Sequence, residues 1–246
     1  MSKTTWVFLR GLTRESQHWG NFPEVFKKYS LGQVICLDLP GFGYNYHSSM
    51  PDSINKTTDF LRQQFLAMKI SGNINLLGIS LGGMIALNWA SRYDDFNKVV
   101  VINTSSSDSP MFDRIKIPSL LQLSTSLLIQ NARFKEWVIL DTICNTAIGK
   151  SFFHQFASIE ESRPVKFEKV VKQLRMANKF KLPKNLKSDL LVLAAKRDRM
   201  VNWKCSELIA KKYKANLGIH ATAGHELPLD DGPWVAEQIS DWLKGS

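Results

Sequence analysis

One stretch of the chain has the residue types and spacing of a nucleophile mount: Gly78-Ile79-Ser80-Leu81-Gly82, followed by Gly83. The run before it, INLLGI, is apolar at consecutive positions, as a buried strand is, and the run after it, LGGMIALNWASRY, has helical spacing. A serine hydroxyl acts as a nucleophile only when it stands clear of the sheet and reaches a base. A tight strand-to-helix turn provides the exposure, and glycines two positions to either side permit both the turn and the close helix–strand contact. The Leu81 amide, in the first turn of the helix, then points at the site and can hold an oxyanion. With 14 Gly and 23 Ser in 246 residues, the bare pattern is expected about 0.07 times by chance. Ser80 is therefore read as a nucleophile rather than as a packing residue of a Gly-rich turn.

Such a serine needs a base, and the base an orienting acid. The histidines are His18, His47, His154, His220 and His225. His225, in Ala223-Gly224-His225-Glu226, follows the last strand-like run and would leave the carboxyl edge of a sheet, where reacting groups of open α/β sheets gather. His220 falls inside the strand pattern and reads as packed within the sheet. His18 precedes a helix, His154 falls in a helical segment and His47 in a polar loop; surface roles suffice for these. Asp198 follows LLVLAAKR at another strand's carboxyl end, whereas Asp189 precedes that strand, and Asp230 and Asp231 stand too near His225. The order Ser80, Asp198, His225 is that of α/β serine hydrolases.

These positions need a frame that brings them to one edge. Thr4–Leu9, Gln33–Leu37, Ile74–Ile79, Lys98–Ile102, Leu190–Ala194 and Leu217–Thr222 are short and aliphatic, like strands buried on both faces of a parallel sheet. His18–Tyr29, Ile54–Met68, Leu81–Arg92, Ser206–Tyr213 and Val235–Leu243 carry helical spacing between them. The alternation predicts an α/β fold, a mainly parallel sheet flanked by helices. It breaks once: residues 105–187 hold helix-like apolar runs, Leu120–Ile129 and Trp137–Ile148, mixed with basic residues. A segment of that length is too long for a plain loop. It reads as a helical cap, or lid, inserted into a core made of residues 1–104 and 188–246.

The net charge of +10 is uneven: +3 over residues 1–104, +7 over 105–187 and zero over 188–246. Lys166, Lys169, Lys172, Arg175, Lys179 and Lys181 make the cap basic, either as a solvated face or as an attraction for an acidic partner. No module for nucleic acid accompanies the charge, so none is expected as a ligand. The apolar run Trp6–Leu9 is too short for a signal segment, and no stretch approaches the roughly 18 apolar residues of a membrane span. Cys36, Cys144 and Cys205 fit no metal spacing and read as reduced thiols of a cytoplasmic protein.

With these residues in place the chain resembles the α/β-hydrolase fold superfamily, in its esterase/lipase-like group with a helical cap, over nearly its whole length. In that group the first strand ends in a His-Gly turn, and the next amide is a second oxyanion donor. Here the turn is Arg10-Gly11-Leu12, so the resemblance implies Leu12. It also implies Trp19, at a helix start, and matches Asp38-Leu39-Pro40-Gly41-Phe42-Gly43 to the group's Asp-x-x-Gly-x-Gly turn. Arg10 departs from the usual His. Buried, its guanidinium needs a carboxylate or carbonyl partner; exposed, it could bind an anionic group. Arg10 and Trp19 are thus expected at the substrate. The resemblance implies acyl transfer through an acyl-enzyme on a carboxylic ester or thioester, a small-molecule substrate, and no metal or organic cofactor. An ester on an acidic carrier protein, a C–C bond next to a ketone, and a weakly catalytic ligand receptor on the same fold stay open. A serine at this turn argues against the epoxide hydrolases and haloalkane dehalogenases, which carry aspartate there.

Overall fold

The computed structural model describes residues 4–245. Among them six strands form: β1 (Thr4–Leu9), β2 (Gln33–Leu37), β3 (Asn73–Ile79), β4 (Lys98–Ile102), β5 (Asp189–Ala195) and β6 (Asn216–His220). They make one sheet in the order β2-β1-β3-β4-β5-β6, with every neighbouring pair parallel. The chain winds outward from β1 to β2, crosses back to β3 and continues on the other side. The carboxyl ends of β1 and β3 therefore flank the crevice where the winding reverses, the place where open α/β sheets hold reacting groups. Leu9 pairs with Gly78 across that crevice, so the segments that follow β1 and β3 emerge side by side.

Side chains of successive strand residues point to opposite faces, and here both faces are apolar. Trp6, Phe8, Leu77, Ile79, Val100 and Ile102 pack on one side with Phe22 and Phe26 of α1 (Phe22–Lys28) and Val235, Ala236 and Ile239 of α10 (Gly232–Lys244). Val7, Leu9, Leu76, Val99 and Val101 pack on the other with α2 (Ile54–Ala67), α3 (Leu81–Arg92) and α9 (Trp203–Tyr213). Between β4 and β5 the chain forms α4 (Met111–Arg114), α5 (Ile117–Ser126), α6 (Ala132–Ile143), α7 (Lys150–Ser162) and α8 (Phe167–Lys179), and no strand. Ile139, Leu140, Ile143, Phe156 and Ile159 of this segment share a third cluster with Met200, Val201 and Cys205. Among the described residues no helix is long and apolar enough to cross a membrane.

Several elements differ from expectation: in the segment between β4 and β5, α5 and α6 end at Ser126 and Ile143 rather than at Ile129 and Ile148, and two differences lie nearer the sheet. The helix expected over His18–Tyr29 is split: a 3-10 turn spans Ser16–Trp19, Gly20 takes φ 57°, and α1 starts at Phe22 with Pro23 in its first turn. Glycine tolerates that φ, and proline suits a helix start because its missing N–H would have no partner there. β6 ends at His220 rather than at Thr222, because the Thr222 and Ala223 amides donate to His220 Nδ1 and turn the chain out of the sheet. His220 is consequently half-buried at the strand's end, with Nε2 3.1 Å from Asp231, instead of packed within the sheet.

Phe8 lies with its ring centroid 5.0, 5.1 and 5.6 Å from those of Trp19, Phe26 and Phe22, and it is fully buried. Phe8→Ala should cost about 3–5 kcal/mol in urea unfolding at equilibrium. Tyr44→Ala, at a side chain 94% exposed, should change stability by less than about 0.5 kcal/mol.

Candidate active site

Ser80 sits between β3 and α3 at φ 54° and ψ −118°, a conformation that side-chain-bearing residues rarely adopt. Its peptide is tied on both sides. The Ser80 amide donates to Ile102 O (2.8 Å), and its carbonyl accepts from Gly83 N (3.0 Å), Met84 N (3.2 Å) and Thr104 Oγ1 (3.1 Å). The neighbouring glycines are required by contact. A Cβ at Gly78 would stand 2.4 Å from Gly82 O, and one at Gly82 would stand 2.3 Å from Leu9 O. At Gly83 it would fall 1.8 Å from Thr104 Oγ1.

Asp198 and His225 are brought together directly. His225 Nδ1 lies 2.7 Å from Asp198 Oδ2, with both side chains buried. Asp198 Oδ1 accepts from the Met200 and Val201 amides (2.7 and 3.0 Å), so the carboxylate cannot rotate away. Burial alone would pull His225 down. The charge and hydrogen bond of Asp198, with the charge of Glu226, outweigh it and raise the imidazole above its ordinary value, against a smaller opposing effect of Arg10.

Asn103, which the sequence reading passed over, joins these segments. It follows β4 at φ 47° and is buried. Its side chain donates to the carbonyls of Gly224 (3.2 Å) and His225 (2.8 Å) and accepts from Ala195 N (2.8 Å). Because Ser80 N bonds to the residue just before Asn103, one turn after β4 touches both the serine segment and the histidine loop. That loop is further held by Asp230, which accepts from Gly224 N (2.6 Å) and from the Asn145 and Thr146 amides.

The segment after β1 lies against the serine: a Cβ on Gly11 would be 3.1 Å from Ser80 Cβ. Leu12 and Leu81 line one cavity of about 110 Å³ with Ser80, Met84, Met111 and Leu174. A second, mainly apolar chamber of about 240 Å³ shares Leu12, Ile115 and Leu174 with it and extends between α5, α6 and α8 past Leu123, Leu127 and Ile139. A larger concavity, about 980 Å³, lies instead at the amino ends of β5 and β6, on the opposite edge of the sheet from His225.

Arg10 and Trp19, expected at the substrate, line neither of the cavities near Ser80. Each is 1% exposed. Arg10 Nη2 donates to Glu226 Oε1 at 2.8 Å, and its guanidinium stands 4.6 Å over the Trp19 ring. Trp19 packs on Phe8 and Phe22 beneath the sheet's edge. A guanidinium shut away from water takes a carboxylate partner, and that partner occupies it. His18 is likewise buried, not a surface group; burial, with the nearby charges of Arg14 and Arg10, holds it well below the ordinary histidine value, and its Nδ1 accepts from Glu15 N. His47 and His154 are exposed. Among the described residues no three His, Cys, Asp or Glu side chains converge as a metal site would require.

The profile of the alpha/beta hydrolase fold family matches residues 7–232. Over 108 residues, 42% of this chain, the sequence is 34% identical to the Biotin biosynthesis bifunctional protein BioHC of Teredinibacter turnerae, a match spanning 18% of that protein's length. A candidate lipase from Acinetobacter baumannii superposes with a TM-score of 0.78 at 22% identity, over 99% of this chain and 84% of that one. An esterase from Exiguobacterium antarcticum superposes with a TM-score of 0.77 at 16% identity, over 99% of this chain and 93% of that one. The two structural likenesses are of fold.

The geometry predicts how His225 titrates. Its NMR-detected pKa should lie above the ordinary value of about 6.5. Asp198→Asn removes the charge that opposes desolvation, so the titration should move below that value. An unmoved titration would contradict the pairing.

Proposed function

The chain belongs to the alpha/beta hydrolase fold family, and we propose that within it the protein is a serine hydrolase cleaving a carboxylic ester or thioester through an acyl-enzyme. One observation carries the reading: a serine held at φ 54° on a strand-to-helix turn, at the same sheet edge as a buried imidazole hydrogen-bonded at 2.7 Å to a carboxylate. In the reaction His225 takes the Ser80 proton and the alkoxide attacks the carbonyl carbon. The amides of Leu81 and Leu12 hold the developing oxyanion, and Asp198 stabilises the imidazolium and keeps its tautomer. The imidazolium returns the proton to the leaving oxygen or sulfur. Water, activated by the same His225, then releases the acid. Neither amide has an acceptor among the described residues, which supports their role as donors.

Residues 105–187 act in this reading as a cap over the core of residues 1–104 and 188–246. The acyl group enters the 110 Å³ cavity at Ser80 and extends into the 240 Å³ apolar chamber, which favours chains longer than acetyl.

A second reading, an ester borne on an acidic carrier protein, draws on the exposed Lys166, Lys172, Arg175, Lys179 and Lys181. Lys169 does not belong to that face. It is buried, and its Nζ donates to Gly41 O (2.7 Å) and Tyr46 O (2.9 Å).

Three results test these readings. Ser80→Ala should lower hydrolysis of p-nitrophenyl butyrate by about 10⁴-fold or more; turnover surviving in that variant would sink the nucleophile assignment. Leu123→Trp should cut hexanoate turnover about tenfold while leaving acetate within about twofold, since only the longer chain reaches the chamber. Lys172→Glu/Arg175→Glu should slow a carrier-borne ester at low salt and spare the p-nitrophenyl esters; equal loss on both would argue against the carrier.

A further inference from the structure

Arg10 and Glu226 are 216 positions apart in sequence, yet their side chains, 2% and 4% exposed, meet at 2.8 Å. Their positions give the contact its meaning. Arg10 stands two residues before Leu12, and Glu226 directly follows His225. The Arg10 carbonyl is also pressed against the start of α3, where a Cβ on Gly82 would come within 2.6 Å of it. Three segments thus converge on Arg10: the one bearing Ser80, the one bearing Leu12 and the one bearing His225.

A buried ion pair is a poor choice for stability alone, because an apolar pair of similar volume usually does as well or better. It is a good choice for register. Each partner, once desolvated, is tolerated only opposite the other, so the two segments can settle at one spacing. The site adds a directional wall: the Trp19 face lies 4.6 Å under the guanidinium, which leaves Glu226 as its hydrogen-bonded partner. Arg10 Nε and Nη1 and Glu226 Oε2 find no other partner among the described residues.

We propose that Arg10 and Glu226 are positioning residues, a buried clamp that fixes the oxyanion segment to the histidine loop so that the Leu12 amide and the His225 ring hold one separation. The proposal rests on the serine-hydrolase reading above and gives Arg10, the departure from the family's usual His-Gly turn, a task. Neither side chain touches the substrate cavities. The clamp also places opposite charges beside the base. The charged groups facing His225 are Asp198 from the turn after β5, Glu226 on its own loop and Arg10 from the end of β1. Asp198 and Glu226 favour the imidazolium, and Arg10 opposes it.

The test pairs a volume-matched apolar variant with single charge removals. Arg10→Met/Glu226→Leu removes both charges at once and leaves none stranded, so it should fold with a Tm equal to or above the parent's. Its kcat on p-nitrophenyl butyrate should nevertheless fall about 10- to 100-fold with KM within about twofold, as expected when the reacting groups are slightly misplaced and substrate contacts are kept. A folded double variant with kcat within twofold of the parent would overturn the clamp. In the singles, NMR titration of His225 should move down in Glu226→Gln and up in Arg10→Gln, opposite directions that a general loosening of structure does not produce. Identical titrations in both would overturn the proposal. That readout needs no turnover, so if Ser80→Ala leaves the activity intact, the hydrolase reading fails while the coupling of Arg10 and Glu226 to His225 is still decided.

Discussion

The carboxyl edge of the sheet depends on how closely α3 approaches the end of β1. With a Cβ at Gly82 only 2.3 Å from Leu9 O, and one at Gly78 only 2.4 Å from Gly82 O, three backbones meet where any side chain would separate them. That contact forces the turn at residue 80 into its positive-φ conformation, a strain of order 1–3 kcal/mol that persists only where the surroundings over-determine it. The surroundings here are extensive. Four hydrogen bonds hold the Ser80 peptide, α3 is buried along most of its length, and the two apolar layers press on the sheet from either side. The same approach sets Gly11 against Ser80, so the serine's position and that of the segment after β1 are consequences of one packing constraint.

The charged groups buried along the seam between that segment and the inserted helices work differently. Arg14 faces Glu136 of α6 with N–O distances of 2.9 Å, and Glu15 accepts from Arg163 just beyond α7 at 2.6 and 2.9 Å. Thr13 N donates to the buried Gln173 of α8 at 2.9 Å. Burial by itself lowers the Arg14 value, but the charge and hydrogen bond of Glu136 outweigh it, so the guanidinium stays charged. Such pairs add little net stability over apolar contacts, but separating one strands a charge in a dry site. The seam therefore resists sliding more than it resists unfolding. α6 and α8 are held to the segment that bears Leu12 at defined positions.

How much of this was legible in the sequence follows from the range over which each feature is encoded. Ser80, Asp198 and His225 stand at strand ends, and a strand end is marked by a few consecutive residues; all three strands formed within a residue or two of their expected limits. The Asp198–His225 contact needed only the sheet order to become available. Glu226 opposite Arg10 carries no local mark, because the two stand 216 positions apart and only the fold brings them together. Asn103 did carry one: an asparagine directly after KVVVI is among the few side chains that tolerate φ near +50°. Lys169 was legible too. It falls on the same helical stripe as Gln173 and Met176, both buried, and composition alone concealed that by counting it with the exposed lysines.

The helices between β4 and β5 are also unequally fastened. α6, α7 and α8 each bury several residues, and Glu136 of α6, Arg163 just after α7 and Gln173 of α8 make the contacts of the seam. α4 buries none, and α5 buries only Ser119 and Ser126 while Met111, Phe112, Ile117 and Leu121 are exposed. Local opening is cheapest where few apolar groups are buried, so α4 and α5 form the least stable wall of both cavities near Ser80. Met111 and Ile115 line the cavity at the serine, and Leu120, Leu123 and Leu127 line the chamber behind it. The frame around Ser80, His225 and Leu12 and this thinly buried wall are thus built from different helices, and they are joined where Lys116 N and Ser119 Oγ donate to Met200 O and Arg199 O in the turn that bears Asp198.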